Sequence, residues 1–129
     1  MKIDHIGLWV RDMDEMIRFY REYFKANAGR KYHNPAKNFT SCFIEFPSGI
    51  RIELMHNPEI SHETSGLGEK HTGYIHIAIS TGSEKEVDIL AERLKKDHYM
   101  ILDGPRRTGD GYYECVVLDP EGNRIEITA

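Results

Sequence analysis

A chain of 129 residues with 40% hydrophobic and 29% charged residues has the composition of one globular domain, long enough to bury a core. Its net charge of −4 comes from interspersed signs, which argues against a nucleic-acid partner, and no apolar run approaches the roughly 20 residues of a membrane span. A strand pattern already begins at Ile3, so we expect no signal peptide and a cytoplasmic protein.

The chain contains an internal repeat. Residues 47–54 match residues 120–127 at a constant offset of 73, and residues 3–10 resemble residues 74–80. Each half therefore opens on a strand-like run with a central histidine and closes on one with a central glutamate. Two copies are too few for a solenoid, so the repeat predicts two similar halves about a pseudo-twofold axis.

The first half predicts the order β-α-β-β-β. Residues 3–10 alternate with a period of two, which places His5 on the face opposite the aliphatic side chains. Asp12, with Glu15 three residues on, predicts the start of a helix over 12–25. Three strands are expected to follow, at 29–33, 39–46 and 50–55.

The second half repeats this order. Residues 74–80 predict a strand with His76 opposite its aliphatic face, and Ser83 with Glu86 forms a capping box for a helix over 83–97. Strands are expected at 100–103, 112–118 and 124–128, with residues 104–111 as a glycine-rich, cationic loop.

These elements predict an α+β fold of two tandem βαβββ modules that form a curved mixed sheet around a cup. The whole chain is one domain, with module one at 1–57, a polar linker at 58–73 and module two at 74–129. Cys42 and Cys115 also differ by 73 and lie in apolar strand-like runs, so we expect two buried free thiols rather than a disulfide.

Four residues at matched places in the two halves carry the chemistry: His5, Glu53, His76 and Glu126. If each half is one curved sheet, its histidine and glutamate point from the same concave side.

Two imidazoles and two carboxylates suit one divalent ion, Zn²⁺, Ni²⁺, Co²⁺, Mn²⁺ or Fe²⁺. A lone strand histidine or glutamate is usually structural, but the recurrence of both favours a metal site. Four ligands leave two positions of an octahedral ion for water or a chelating substrate, as Lewis-acid chemistry requires.

These residues resemble the vicinal oxygen chelate superfamily, which includes glyoxalases, bleomycin-resistance proteins and dioxygenases. The resemblance covers nearly the whole chain and is strongest at residues 5–7 with the Asp12 helix, at 73–78 and at 119–126. The superfamily fold is a pair of βαβββ modules. The order His, Glu, His, Glu is that of glyoxalase I and related lyases, whereas bleomycin-binding members lack the metal ligands.

The resemblance implies a metal-dependent glyoxalase I-like lyase or isomerase that acts on a small hemithioacetal or vicinal-oxygen substrate. Glu53 or Glu126, released from the metal, would move a carbon-bound proton by way of a metal-bound enediolate. It also implies a homodimer. The alternative is a non-catalytic small-molecule-binding protein, or a metal-dependent oxygenase or thiol transferase of the same fold.

Three further residues are candidates for substrate binding. The resemblance gives Asn57 a contact with glutathione, whereas Trp9 stands where glyoxalase I enzymes commonly carry an arginine that meets a glutathione carboxylate. Trp cannot form that charge-assisted contact and would instead line an apolar pocket. Arg106 would attract a substrate carboxylate or phosphate, although a solvated loop cation is an equally good interpretation.

Overall fold

The computed structural model describes residues 1–61 and 72–129. The chain divides into two compact units, Met1–Glu63 and Thr64–Ala129. Each unit packs one α-helix on one mixed sheet, so the predicted α+β class is confirmed. Most of the predicted linker, residues 62–71, lies outside the described residues.

The first unit contains one helix, five strands and a 3₁₀ turn. The elements are β1 (Ile6–Trp9), α1 (Met13–Phe24), β2 (Asn27–Ala28), β3 (Tyr32–Asn34), the 3₁₀ turn (Pro35–Lys37), β4 (Phe39–Glu45) and β5 (Arg51–His56). The strands form one sheet in the order β1-β5-β4-β2, with β3 paired to β4. β1 runs parallel to β5, and the other pairs are antiparallel. The single short strand expected at 29–33 is replaced by two shorter strands and a 3₁₀ turn.

The first helix begins where the sequence predicts. The Asp12 side chain accepts a hydrogen bond from the backbone N–H of Glu15, which satisfies one of the free donors of the first turn. The helix buries an aromatic stripe against the sheet, chiefly Phe19 and Tyr20, and ends at Lys25 in the left-handed conformation. This packing fixes the sheet from the side opposite His5 and Glu53.

The second unit has the same plan with one helix and four strands. The elements are β6 (His76–Ser80), α2 (Glu84–Lys96), β7 (Ile101–Arg107), β8 (Tyr113–Leu118) and β9 (Arg124–Thr128). The sheet order is β6-β9-β8-β7, and β6 runs parallel to β9, as β1 does to β5. Ser83 caps the helix by accepting a hydrogen bond from the N–H of Glu86, as predicted.

The predicted loop at 104–111 is wrong over its first four residues, because Gly104 to Arg107 belong to β7. The pairing of β7 with β8 shifts register between Ile101 and Asp103 and again between Asp103 and Arg106. Such bulges, on an edge strand, accommodate a glycine and a proline that would break a central strand. At Gly104 the φ angle is +78° and an added Cβ would meet the Glu114 carbonyl oxygen at 2.5 Å, so the bulge requires glycine.

The expected burial of the aliphatic face of the first strand is only partly right. Val10 is buried, but Ile6 is 42% exposed. β1 lies at an edge of its sheet, and α1 packs mainly on β2, β4 and β5. Helix coverage therefore stops short of the edge strand. No helix among the described residues is long and apolar enough to span a membrane.

Cys42 and Cys115 are both buried and free, as the sequence predicts. Burial raises the pKa of the Cys42 thiol and raises that of Cys115 to about 11, because the thiolate loses its hydration inside the core.

We therefore expect neither cysteine to react with a thiol reagent such as Ellman's reagent at pH 8 in the folded protein. Both should react at once after unfolding in guanidinium chloride, because the thiolate is the reactive species and is then exposed. Rapid labelling of one thiol in the folded protein would contradict this burial.

Candidate metal centre

In the first unit, the parallel pairing of β1 and β5 brings His5 beside Glu53. Gly7 is in register with Glu53. The strand predicted at 3–10 is shorter than expected, Ile6–Trp9, so His5 is the residue just before it, two positions before Gly7 and therefore directed to the same side. The Nε2 atom of His5 is 3.6 Å from Oε2 of Glu53. The expectation that the histidine and glutamate of a half share one face is therefore met here.

The second unit repeats this geometry. Ala78 is in register with Glu126, His76 lies two residues earlier, and Nε2 of His76 is 3.6 Å from Oε2 of Glu126. Side-chain exposure also matches: 37% and 20% for His5 and Glu53, 37% and 19% for His76 and Glu126. The repeat thus preserves distance and solvent access as well as residue type.

Each pair fits two donors of one divalent ion. At 3.6 Å the two atoms are too far apart for a hydrogen bond. Two donors bound at about 2.0–2.2 Å to one ion lie roughly 3.0–3.5 Å apart, so only a small adjustment is needed. Each unit brings together two donors, and the described residues contain no group of three or more histidine, cysteine, aspartate or glutamate side chains arranged to hold a metal.

Tight local turns set the position of each glutamate. Before β9, the buried Asp119 carboxylate accepts hydrogen bonds from the backbone N–H groups of Glu121 and Asn123 and from the Asn123 side chain. Before β5, the chain turns through Gly49, whose φ is +85° and whose N–H donates to the Phe46 carbonyl. Both turns set where the last strand of the unit begins, and therefore its register against the first strand.

The face around His5 is largely apolar. Trp9 is 43% exposed and meets Phe39 edge to face, at 6.1 Å between ring centroids. Met55 lies across Gly7, where an added Cβ would come within 2.9 Å of its terminal methyl group. Phe43 packs edge-on against the His5 ring at 5.2 Å. Trp9 therefore continues a surface of aromatic and thioether groups beside His5.

Asn57, for which the resemblance implies a contact with glutathione, is engaged within its own unit. Its Oδ1 accepts a hydrogen bond from the N–H of Glu59, and its Nδ2 donates to the Lys37 carbonyl at 3.4 Å. The first bond is that of an Asx turn, which closes the end of β5. Its amide thus has a structural role in the observed conformation.

Arg106 lies on the same face of its sheet as Glu126, although it stands in β7 rather than in a loop. Its Nε donates to Asp103 at 2.8 Å and its Nη2 also contacts that carboxylate, while Glu114 is 3.8 Å away. The Asp103 contact raises the pKa of Arg106 and lowers that of Asp103. Arg107 points to the helix side, where it pairs with Glu84.

Sequence reasoning missed Glu114, which the strand alternation places on the face of Glu126, next to that strand. Its side chain is 13% exposed. Burial raises the pKa of Glu114, and the charge of Glu126 raises it further. The signal was available: Glu114 interrupts the otherwise apolar strand at 113–118.

A second residue missed is Asp4. Its carboxylate accepts a hydrogen bond from Nδ1 of His5 at 2.9 Å and pairs with Nη2 of Arg51 at 2.5 Å. These contacts lower the pKa of Asp4, the His5 hydrogen bond most. The signal was its position directly before the first histidine.

Residues 2–127 match the family described as the Glyoxalase/Bleomycin resistance protein/Dioxygenase superfamily. The chain belongs to this superfamily, and the resemblance inferred from the residues is confirmed. It is also 30% identical to the lactoylglutathione lyase of Haemophilus influenzae, over 98% of this chain and 90% of that protein.

Two solved structures show the same fold. A glyoxalase/bleomycin resistance protein/dioxygenase domain from Frankia sp. EAN1pec has a TM-score of 0.81 at 20% identity, covering 99% of this chain and 96% of that one. A trypanothione-dependent glyoxalase I from Leishmania major has a TM-score of 0.75 at 26% identity, covering 99% and 86%. The predicted glyoxalase-like fold is therefore confirmed.

Proposed function

We propose that the protein is a divalent-metal-dependent lyase or isomerase of the glyoxalase I type. The observation that carries this proposal is the pair of matched histidine–glutamate contacts, each 3.6 Å and each with similar exposure. His5, Glu53, His76 and Glu126 would be the metal ligands, and the ion would be Ni²⁺, Zn²⁺, Co²⁺, Mn²⁺ or Fe²⁺. The similarity to a lactoylglutathione lyase supports the same class of reaction.

The bound ion would supply Lewis-acid polarisation of two adjacent substrate oxygens. Glu126 or Glu53 would then take a proton from the substrate carbon and return it to the neighbouring carbon. Both carboxylates are about four-fifths buried, which excludes much of the water that would compete for that proton. Glu114 adds a further carboxylate to the face of Glu126.

The substrate is a small hemithioacetal or another compound with vicinal oxygens. Trp9, with Phe39 and Met55 beside it, offers an apolar wall and no charge for a peptide carboxylate. Relatives differ in the thiol, since one is a lactoylglutathione lyase and another is trypanothione-dependent. We therefore propose that the thiol of this protein's substrate need not be glutathione.

The other two candidate substrate contacts, Arg106 and Asn57, are already engaged within the protein. For Arg106 to bind a substrate anion, it would have to release Asp103, and Asn57 would have to give up its turn. Homodimer formation and a cytoplasmic location remain part of the proposal.

The test is reconstitution of chelator-stripped protein with each of the five ions, followed by assay of methylglyoxal or phenylglyoxal hemithioacetals. We expect one ion per chain and metal-dependent turnover, with hemithioacetals of small uncharged thiols accepted alongside that of glutathione. Stoichiometric metal without turnover of any hemithioacetal would contradict the lyase. Absence of metal binding would favour the small-molecule-binding protein, and a requirement for dioxygen would favour the oxygenase.

A further inference from the structure

The two histidines of the candidate metal centre differ in what holds them. His5 is preceded by Asp4, whose Oδ2 is 2.9 Å from its Nδ1. His76 is preceded by Ile75, which has no polar side chain, and no hydrogen-bond partner of the His76 Nδ1 is found among residues 1–61 and 72–129. The second unit thus repeats the histidine–glutamate contact, but its described residues place no carboxylate against Nδ1 of the histidine.

Asp4 is itself held in place. Arg51, two residues before Glu53 in β5, pairs with the same Asp4 oxygen at 2.5 Å. The Arg51 guanidinium also stacks over the Phe43 ring at 4.8 Å, and Phe43 meets the edge of His5 at 5.2 Å. A closed set of contacts therefore runs from Arg51 to Asp4 and His5 and back through Phe43.

We infer that Asp4 is a positioning residue that orients His5 for metal binding. A carboxylate beside Nδ1 favours the tautomer in which Nδ1 carries the proton and donates it to Asp4. The lone pair then lies on Nε2, the atom that faces Glu53. Because a partner on the far nitrogen also increases the donor strength of the near one, its loss weakens metal binding by about 10–100-fold. This inference rests on the proposed metal centre.

The expected effect is specific to the site. The Asp4 side chain is 60% exposed and its contacts are open to solvent, so its removal should leave thermal stability close to that of the wild type. A change in the tautomer of His5 on removal of Asp4, in contrast, is expected only if Asp4 acts on the His5 ring. The two readouts separate a positioning role from a general structural one.

The experiment compares Asp4→Ala and Asp4→Asn with the wild type. In the metal-free protein, ¹⁵N spectra of the histidine rings should show that the wild-type His5 carries its proton on Nδ1. In Asp4→Ala the tautomer with the proton on Nε2 should become more populated. Affinity for Co²⁺ and Zn²⁺, measured by competition with a chelator, should fall about 10–100-fold in Asp4→Ala. Asp4→Asn keeps an acceptor oxygen without the charge and should fall between the two.

Asp14→Ala is the matched control, because Asp14 is also exposed and also pairs with a cation, Lys31, at 2.6 Å. It should change neither the His5 spectrum nor the affinity. An unchanged tautomer, or an Asp4→Ala affinity equal to that of the wild type, would overturn the inference. Failure of the wild type to bind either ion would overturn the proposed function instead, and the ring spectra would still decide whether Asp4 orients His5.

Discussion

Glu126→Gln is expected to lower kcat by about 10²–10⁴-fold, the range supplied by a positioned acid or base. Glutamine has the same shape and retains one oxygen that can face a metal ion, but its amide does not accept a proton at neutral pH. Glu126 lies in the middle of β9, in register with Ala78, so the substitution should leave the sheet intact. The measurement is turnover of the preferred hemithioacetal at saturating metal, with metal content determined on the same sample.

Two other variants serve as comparisons for Glu126→Gln. Glu53→Gln changes the matched carboxylate in the first unit and shows which of the two moves the proton. Glu92→Gln changes an exposed glutamate of α2 and should behave as the wild type. Unchanged turnover in Glu126→Gln would remove Glu126 from the catalytic role.

His76→Ala is expected to abolish stoichiometric metal binding. Loss of a residue that contacts a metal-binding side chain lowers metal affinity by about 10–100-fold, so loss of the metal-binding side chain itself should lower it by more than about 100-fold. His76 is the first residue of β6 and its side chain is 37% exposed, so little packing is lost. Elemental analysis after reconstitution should give one ion per chain for the wild type and close to none for the variant.

The control is His98→Asn, which removes a histidine that follows α2. His98 has a φ of +66°, a conformation that asparagine tolerates better than most residues. This variant should retain full metal content and the thermal stability of the wild type. One ion per chain in His76→Ala, measured on folded protein, would show that His76 is not a ligand.

The repeat explains why so much of the fold could be predicted. Alternation in the strands and capping at Asp12 and Ser83 are local properties, readable from neighbouring residues. The same alternation placed His5 with Glu53 and His76 with Glu126 on common faces, because parallel first and last strands keep their registers aligned. Both helices are confirmed to within one residue at each end.

Sequence alone determined the module order, the matched histidine–glutamate pairs and the burial of the two cysteines, since each depends on a short pattern repeated along the chain. Only the tertiary structure placed Arg106 in a bulged strand against Asp103, and Arg51 against Asp4 across 47 residues. It also showed Asn57 closing a turn. These contacts depend on how strands pair and where edges lie, and no local periodicity records which charged side chain will meet which.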